Sequence, residues 1–216
     1  MRIKIHFSGI LVILVALLCE RADILLVFIA AAVLHELGHL LATKTVKKRV
    51  ERIEIGFSGA RIVIGDPILG YGEEFFIALM GPLFNFLALG AAIVVFVSKG
   101  ESMQSMLEGG MRFLECGAVR DDDRLAFFAL SSAAQAFLNL LPIRTLDGGR
   151  MLYCIVSLLF GERAGVRAIG ISTAIVAFCV WTVALYLMLR AGAGLSLFVF
   201  AVWVFLGIAV RRGRED

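Results

Sequence analysis

Two histidines four residues apart, with a glutamate directly after the first, stand inside an apolar stretch of this 216-residue chain. They read His35-Glu36-Leu37-Gly38-His39, and the chain holds only three histidines. On an α-helix this spacing places both imidazoles on one face, where they can share a zinc ion. The glutamate next to the first histidine could then act on a metal-bound water.

The alternative for this motif is a pair of core histidines bonded to neighbouring carbonyl groups, with Glu36 buried for packing. A charged group at membrane depth costs at least ~2.5–3.5 kcal/mol, so its presence there indicates function. An unpaired buried carboxylate is also costly. The motif therefore predicts a zinc site.

A third ligand is needed, because catalytic zinc usually takes three protein ligands and leaves a fourth position for water. The stretch 139–150 lies between two apolar runs and contains Pro142 and Asp147, followed by two glycines. Proline breaks a helix, and irregular backbone at membrane depth is tolerated only where it lines a cavity or is buried in protein. We therefore predict Asp147 as the third ligand. The alternatives are that Asp147 caps a helix outside the membrane, or that His6 is a ligand.

Small residues form a stripe along the third apolar segment, around Gly81-Pro82-Leu83-Phe84-Asn85. Such a stripe favours close helix packing, and Gly81 and Pro82 are interpreted as packing and kink residues. Asn85 either bonds to a neighbour of a metal ligand or bridges two helices. It is also retained as a candidate substrate-binding residue.

The composition predicts an all-α polytopic membrane protein. Hydrophobic residues make up 60% of the chain and the mean hydropathy is +0.93. Charged residues make up 18%, against roughly 25% in soluble domains. Six transmembrane segments are predicted, at 5–19, 24–42, 75–97, 125 to a break near Pro142, 169–189 and 192–210. The basic clusters flank apolar runs, so no nucleic-acid partner is expected, and no CxxC pair suggests a thiolate site.

The distribution of lysine and arginine predicts that both termini are cytoplasmic in a multi-pass membrane protein. We expect residues 1–216 to form a single membrane-embedded domain. Its core would span 24–160, with two further helices within 169–210 and no appended soluble domain.

The stretch between the second and third segments has a different pattern. Ile53, Ile55 and Phe57 alternate with polar residues or glycine, Ser58-Gly59 can turn, and the alternation resumes at 61–64. This predicts a small β-hairpin, with an interfacial loop as the alternative. An extended peptide could add to its edge, so Ile55 and Phe57 are candidate substrate-binding residues.

The chain resembles the site-2 protease family of intramembrane zinc metalloproteases. The resemblance rests on three motifs in order: His35-Glu36-Leu37-Gly38-His39, Gly81-Pro82-Leu83-Phe84-Asn85 and Asn139-x-x-Pro142-x-x-x-x-Asp147-Gly148-Gly149. Within the family it is most similar to the stage IV sporulation protease group, through Lys4-Ile5-His6, two extra helices after the aspartate and no inserted PDZ domain. Members of that group often carry a CBS domain, which is not expected here.

The resemblance implies a role for each matching residue. His35, His39 and Asp147 would ligate one zinc ion, and Glu36 would be the general base. Asn139 would bind the substrate backbone or stabilise the oxyanion, and the loop containing Pro142 would line the cleft.

The resulting hypothesis is a zinc endopeptidase that cleaves a membrane-embedded or membrane-associated protein, including sporulation-linked activation of a transcription factor. The lipid bilayer and a membrane-protein regulator are further candidate partners. The rival hypotheses are a metal-binding transporter, a catalytically inactive scaffold and a structural membrane protein with accidental motifs.

Overall fold

The computed structural model describes residues 2–5, 22–48, 50–56, 59–64, 69–120 and 122–191. Three predictions lie outside these residues: almost all of the first segment with His6, the side chain at Phe57, and the sixth segment at 192–210. The described residues contain helices α1 Ala22–Thr45, α2 Tyr71–Ser98, α3 Met103–Cys116, α4 Asp123–Asn139, α5 Asp147–Phe160 and α6 Glu162–Ala191.

Three of these helices are long and apolar enough to cross a membrane: α1, α2 and the Glu162–Val183 part of α6. They overlap the second, third and fifth predicted segments. A span needs about 20 predominantly apolar residues, which each of them supplies. The described part of the chain is therefore that of a helical membrane protein.

The fourth predicted segment corresponds to α4, which is not among the helices long and apolar enough to cross a membrane, and a break separates it from α5. Helix α4 ends at Asn139 and α5 begins at Asp147. The break is held by α6, because the Thr173 hydroxyl accepts a hydrogen bond from the Arg144 amide at 3.0 Å and the Ser172 hydroxyl donates one to the Pro142 carbonyl at 2.8 Å. Side chains satisfy these backbone groups inside the bundle, which makes irregular backbone tolerable there.

Two glycines let the first turn of α5 lie directly on the break. A Cβ atom at Gly148 would be 2.0 Å from the Leu140 carbonyl oxygen, and one at Gly149 would be 2.0 Å from the Ile143 carbonyl oxygen. Backbone atoms cannot move aside as a flexible side chain can. The position of Asp147 therefore depends on the absence of side chains at the next two residues.

Substituting Gly148→Ala is expected to destabilise the fold by about 1–3 kcal/mol, the usual cost of overpacking. Thermal unfolding in detergent should show a fall of about 2–4 °C for each kcal/mol. Gly170→Ala in α6 is the matched control, because a Cβ atom there meets nothing within 4 Å. Equal unfolding midpoints for the two variants would contradict this account of the break.

Helices α1 and α2 approach closely at a glycine. A Cβ atom at Gly38 would lie 2.4 Å from the carbonyl oxygen of Met80 on α2. Small residues at such a crossing let two backbones pack tightly in a membrane. A separate apolar cluster joins α2, α3 and α4 through Ala92, Phe96, Met106, Ala126 and Ala129.

A three-stranded sheet has the order β1-β2-β3. Strand β1 (Arg2–Ile5) pairs in parallel with β2 (Val50–Gly56), and β2 pairs antiparallel with β3 (Gly59–Ile64). The last two strands occupy the stretch for which the sequence predicts a hairpin, and Ile55 lies in β2. Strand β1 was not anticipated, because its pairing joins residues far apart in the chain.

Candidate metal centre

Helix α1 presents two imidazoles on its buried face. His35 and His39 are 5% and 7% exposed, and their rings meet edge to face with centroids 4.8 Å apart. The two Nε2 atoms are 3.1 Å apart. This is the arrangement that the four-residue spacing predicts for a helix.

Asp147, the first residue of α5, joins the histidine pair. Its Oδ2 atom lies 3.0 Å from Nε2 of His35 and 3.2 Å from Nε2 of His39, and the residue is 8% exposed. The break between α4 and α5 places this carboxylate at the level of the histidines. The structure therefore brings together all three residues that the sequence indicates as ligands.

The three side chains fit a zinc ion. Nitrogen and oxygen ligands bonded tetrahedrally to zinc at ~2.0–2.1 Å lie about 3.3 Å from one another. The corresponding distances here are 3.0, 3.1 and 3.2 Å. Two imidazole nitrogens and one carboxylate oxygen are a usual catalytic donor set and leave a fourth position open.

Helix α2 closes the other side of the site. The Nδ1 atom of His39 donates a hydrogen bond to the Ile77 carbonyl oxygen at 2.7 Å. Asn85 is fully buried, and its Nδ2 atom is 3.3 Å from Nδ1 of His35. Between them, a Cβ atom at Gly81 would lie 2.3 Å from Nε2 of His39. This glycine makes room for the imidazoles.

Glu36 is partly buried and follows His35 on α1. Its carboxyl group interacts electrostatically with His39, Asp147 and Arg150, so it lies beside the ligand group without belonging to it. Arg150 also faces Glu74 of α2, with 3.4 Å between Nε and Oε1. A carboxylate can exchange a proton with a group held within hydrogen-bond reach.

The other predicted site residues lie on several elements. Asn139 is the partly buried last residue of α4, at the edge of the break. Pro142 lies within the break, and Ile55 lies in β2. Asn85 contacts a histidine of the ligand group.

Sequence reasoning missed two contributions from α2. Ile77 acts through its carbonyl oxygen, which no side-chain pattern reveals. Gly81 was interpreted only as a packing residue. The four-residue spacing of Ile77, Gly81 and Asn85 is the signal that could have placed all three on the face toward the histidines.

Comparison with protein-family models gives no match, and no curated protein matches the chain. Among solved structures, a site-2 protease from Methanocaldococcus jannaschii is similar, with a TM-score of 0.60 and 23% sequence identity. The similarity covers 96% of this chain and 88% of that protein. The chain therefore has the fold of that site-2 protease.

Proposed function

We propose that the chain is an intramembrane zinc metalloendopeptidase of the site-2 protease family, cleaving a membrane-embedded or membrane-associated protein. One observation carries the proposal. Two imidazole nitrogens and one carboxylate oxygen lie within 4.8 Å of one another, buried in the helical bundle. Glu36, which interacts electrostatically with His39 and Asp147, would be the general base.

His35, His39 and Asp147 would hold the metal through the three atoms that face one another. A bound zinc ion supplies Lewis acidity and lowers the pKa of water to about 7. Glu36 would accept the proton of the attacking water and then deliver it to the departing amine. Burial of the site keeps bulk water away from these charged groups and strengthens their interactions.

The substrate would have to be extended at the scissile bond. A transmembrane helix uses its own backbone hydrogen-bonding groups, so it must unwind before a protease can engage them. The α4–α5 break, with Asn139 and Pro142, lies beside the candidate metal centre and would contact the unwound segment. Within the described sheet, β2 with Ile55 pairs with β1 on one side and with β3 on the other, so this strand offers no edge. A substrate strand would instead add to β3.

Removing Asp147 should remove both the metal and the activity. Asp147→Ala is expected to reduce bound zinc from about one ion per chain to near zero, because a carboxylate ligand is lost from a three-ligand site. Metal analysis of purified protein measures this directly. Asp122→Ala is the matched control. Asp122 directly precedes α4 and pairs with Lys99, at the opposite end of α4 from the break that leads to Asp147.

Activity is tested in liposomes with a reporter fused to a single transmembrane helix that contains a helix-breaking pair. Wild type should cleave it, a strong zinc chelator should stop cleavage, and added zinc should restore it. Zinc flux across the liposome without cleavage would favour the transporter. Reporter binding without cleavage in the zinc-loaded protein would favour the inactive scaffold.

We further propose that the substrate is a sporulation-linked transcription factor and that both termini are cytoplasmic. Comparing N-terminal peptides from cells that express wild type or Glu36→Gln identifies the substrate, and so tests whether a sporulation-linked transcription factor is released. Reporter fusions at both ends test the cytoplasmic placement of the termini in a bacterial membrane. A terminus on the opposite side would contradict the charge-based orientation.

A further inference from the structure

One face of α2 contacts both histidines of the candidate metal centre through residues spaced by four. Ile77 meets Nδ1 of His39, Asn85 meets Nδ1 of His35, and Gly81 lies between them. Because Nδ1 of each ring is engaged by α2, each Nε2 atom faces the carboxylate of Asp147. Helix α2 therefore sets the orientation of both rings.

The contact at His39 defines its protonation. A backbone carbonyl oxygen can only accept a hydrogen bond, so Nδ1 of His39 carries the hydrogen. The neutral ring then has a lone pair on Nε2, as a metal ligand requires. The Ile77 carbonyl thus selects the metal-binding tautomer of His39.

The contact at His35 involves an amide, which can donate or accept. Asn85 is 0% exposed, and its Oδ1 atom has no hydrogen-bond partner among the described residues. With Nδ2 as the donor, Nδ1 of His35 would be the acceptor, and the hydrogen of the neutral ring would lie on Nε2, the atom that faces Asp147. Half a turn of the terminal amide exchanges Nδ2 and Oδ1, and then Oδ1 accepts the hydrogen on Nδ1 of His35.

We infer that Asn85 is a positioning residue for the metal site. Its Oδ1 atom accepts the Nδ1 hydrogen of His35, which fixes the ring and leaves the Nε2 lone pair for the metal. This inference rests on the proposed zinc site. It assigns to Asn85 a function toward His35 in place of a function toward the substrate.

The test is zinc affinity, measured by chelator competition on purified protein in detergent, with cobalt spectra as a second readout. Asn85→Leu keeps much of the volume but cannot accept a hydrogen bond, and we expect zinc affinity to fall about 10–100-fold. Asn85→Asp keeps an acceptor at that position, so its zinc affinity should not show the about 10–100-fold fall expected for the leucine variant. The cobalt spectrum should change for the leucine variant only.

Gln135→Leu is the matched control. Gln135 is also a buried amide that reaches α1, donating a hydrogen bond to the Phe28 carbonyl oxygen at 3.1 Å, but it does not contact the ligand histidines. This variant should keep wild-type zinc affinity. Unfolding midpoints of all variants show whether affinity changes merely follow stability.

Each outcome has one meaning. A folded Asn85→Leu protein with wild-type zinc affinity overturns the inference and leaves the proposed protease standing. If Asn85→Leu binds zinc more weakly and the zinc-loaded wild type does not cleave the reporter, the inference is supported and the proposed protease is overturned. A wild-type protein that binds no zinc overturns both the inference and the proposed protease. An equal loss of zinc affinity in Asn85→Leu and Gln135→Leu overturns the inference, because Asn85 would then act only through packing.

Discussion

Replacing Glu36 with glutamine is expected to reduce reporter cleavage by about 10²–10⁴-fold, the usual contribution of a general acid–base group. Bound zinc should stay at about one ion per chain, because the three ligand atoms come from His35, His39 and Asp147. Glutamine has nearly the size of glutamate but cannot take the proton of the attacking water. Initial cleavage rates in liposomes and metal analysis of the same sample measure the two effects.

Glu73→Gln is the matched control for this substitution. Glu73 pairs with Lys48 at 3.2 Å between Oε2 and Nζ, in the first turn of α2. The Glu73→Gln substitution also replaces a glutamate carboxylate with an amide, but at a residue outside the ligand group. Reporter cleavage should therefore stay near the wild-type rate. Wild-type cleavage by Glu36→Gln would show that Glu36 is not the base. Loss of zinc from that variant would instead indicate a structural defect.

The metal-ligand group was predictable because each member carries its own side-chain signal. His35 and His39 have helical spacing within an apolar run, and Asp147 follows a proline and precedes two glycines. Ionisable residues are rare at membrane depth, so few other side chains compete with them. Their convergence follows from these local patterns once the three segments pack together.

The groups of α2 that contact the two histidines could not be predicted in the same way. The acceptor for His39 is the backbone of Ile77, and every residue has a carbonyl group. The pairing of Asn85 with His35 joins residues 50 positions apart. Such contacts depend on how α2 slides and rotates against α1. That register is set by the close approach at Gly38, which hydrophobic periodicity alone does not reveal.

The ends of the helices were also predicted less accurately than their existence. The fifth segment was predicted to begin at 169, but α6 begins at Glu162, directly after Gly161 with a positive φ of 86°. The first turns of α6 carry Glu162, Arg163 and Arg167, which lie before the predicted start. The fourth segment was predicted to break near Pro142, and α4 ends three residues earlier at Asn139. A residue that precedes proline disfavours helical backbone, so helices usually end before the proline itself.

The helix crossing makes zinc binding sensitive to a substitution at Gly81. A Cβ atom there would lie 2.3 Å from Nε2 of His39 and 2.7 Å from Nε2 of His35, the two atoms assigned to the metal. Gly81→Ala is therefore expected to weaken zinc binding by at least about 100-fold, the upper end of the effect of losing a supporting contact. Cleavage of the reporter should be lost with the zinc.

Neither helix can easily make room for that methyl group. Moving α2 away from α1 would break the hydrogen bond between Ile77 and His39 and open the packing at Gly38. Gly90→Ala, on the same helix, is the control, because a Cβ atom there meets nothing within 4 Å. It should bind zinc and cleave as wild type does. Equal zinc content in the two alanine variants would mean that α2 does not press against the imidazoles, and the proposed geometry of the metal centre would be wrong.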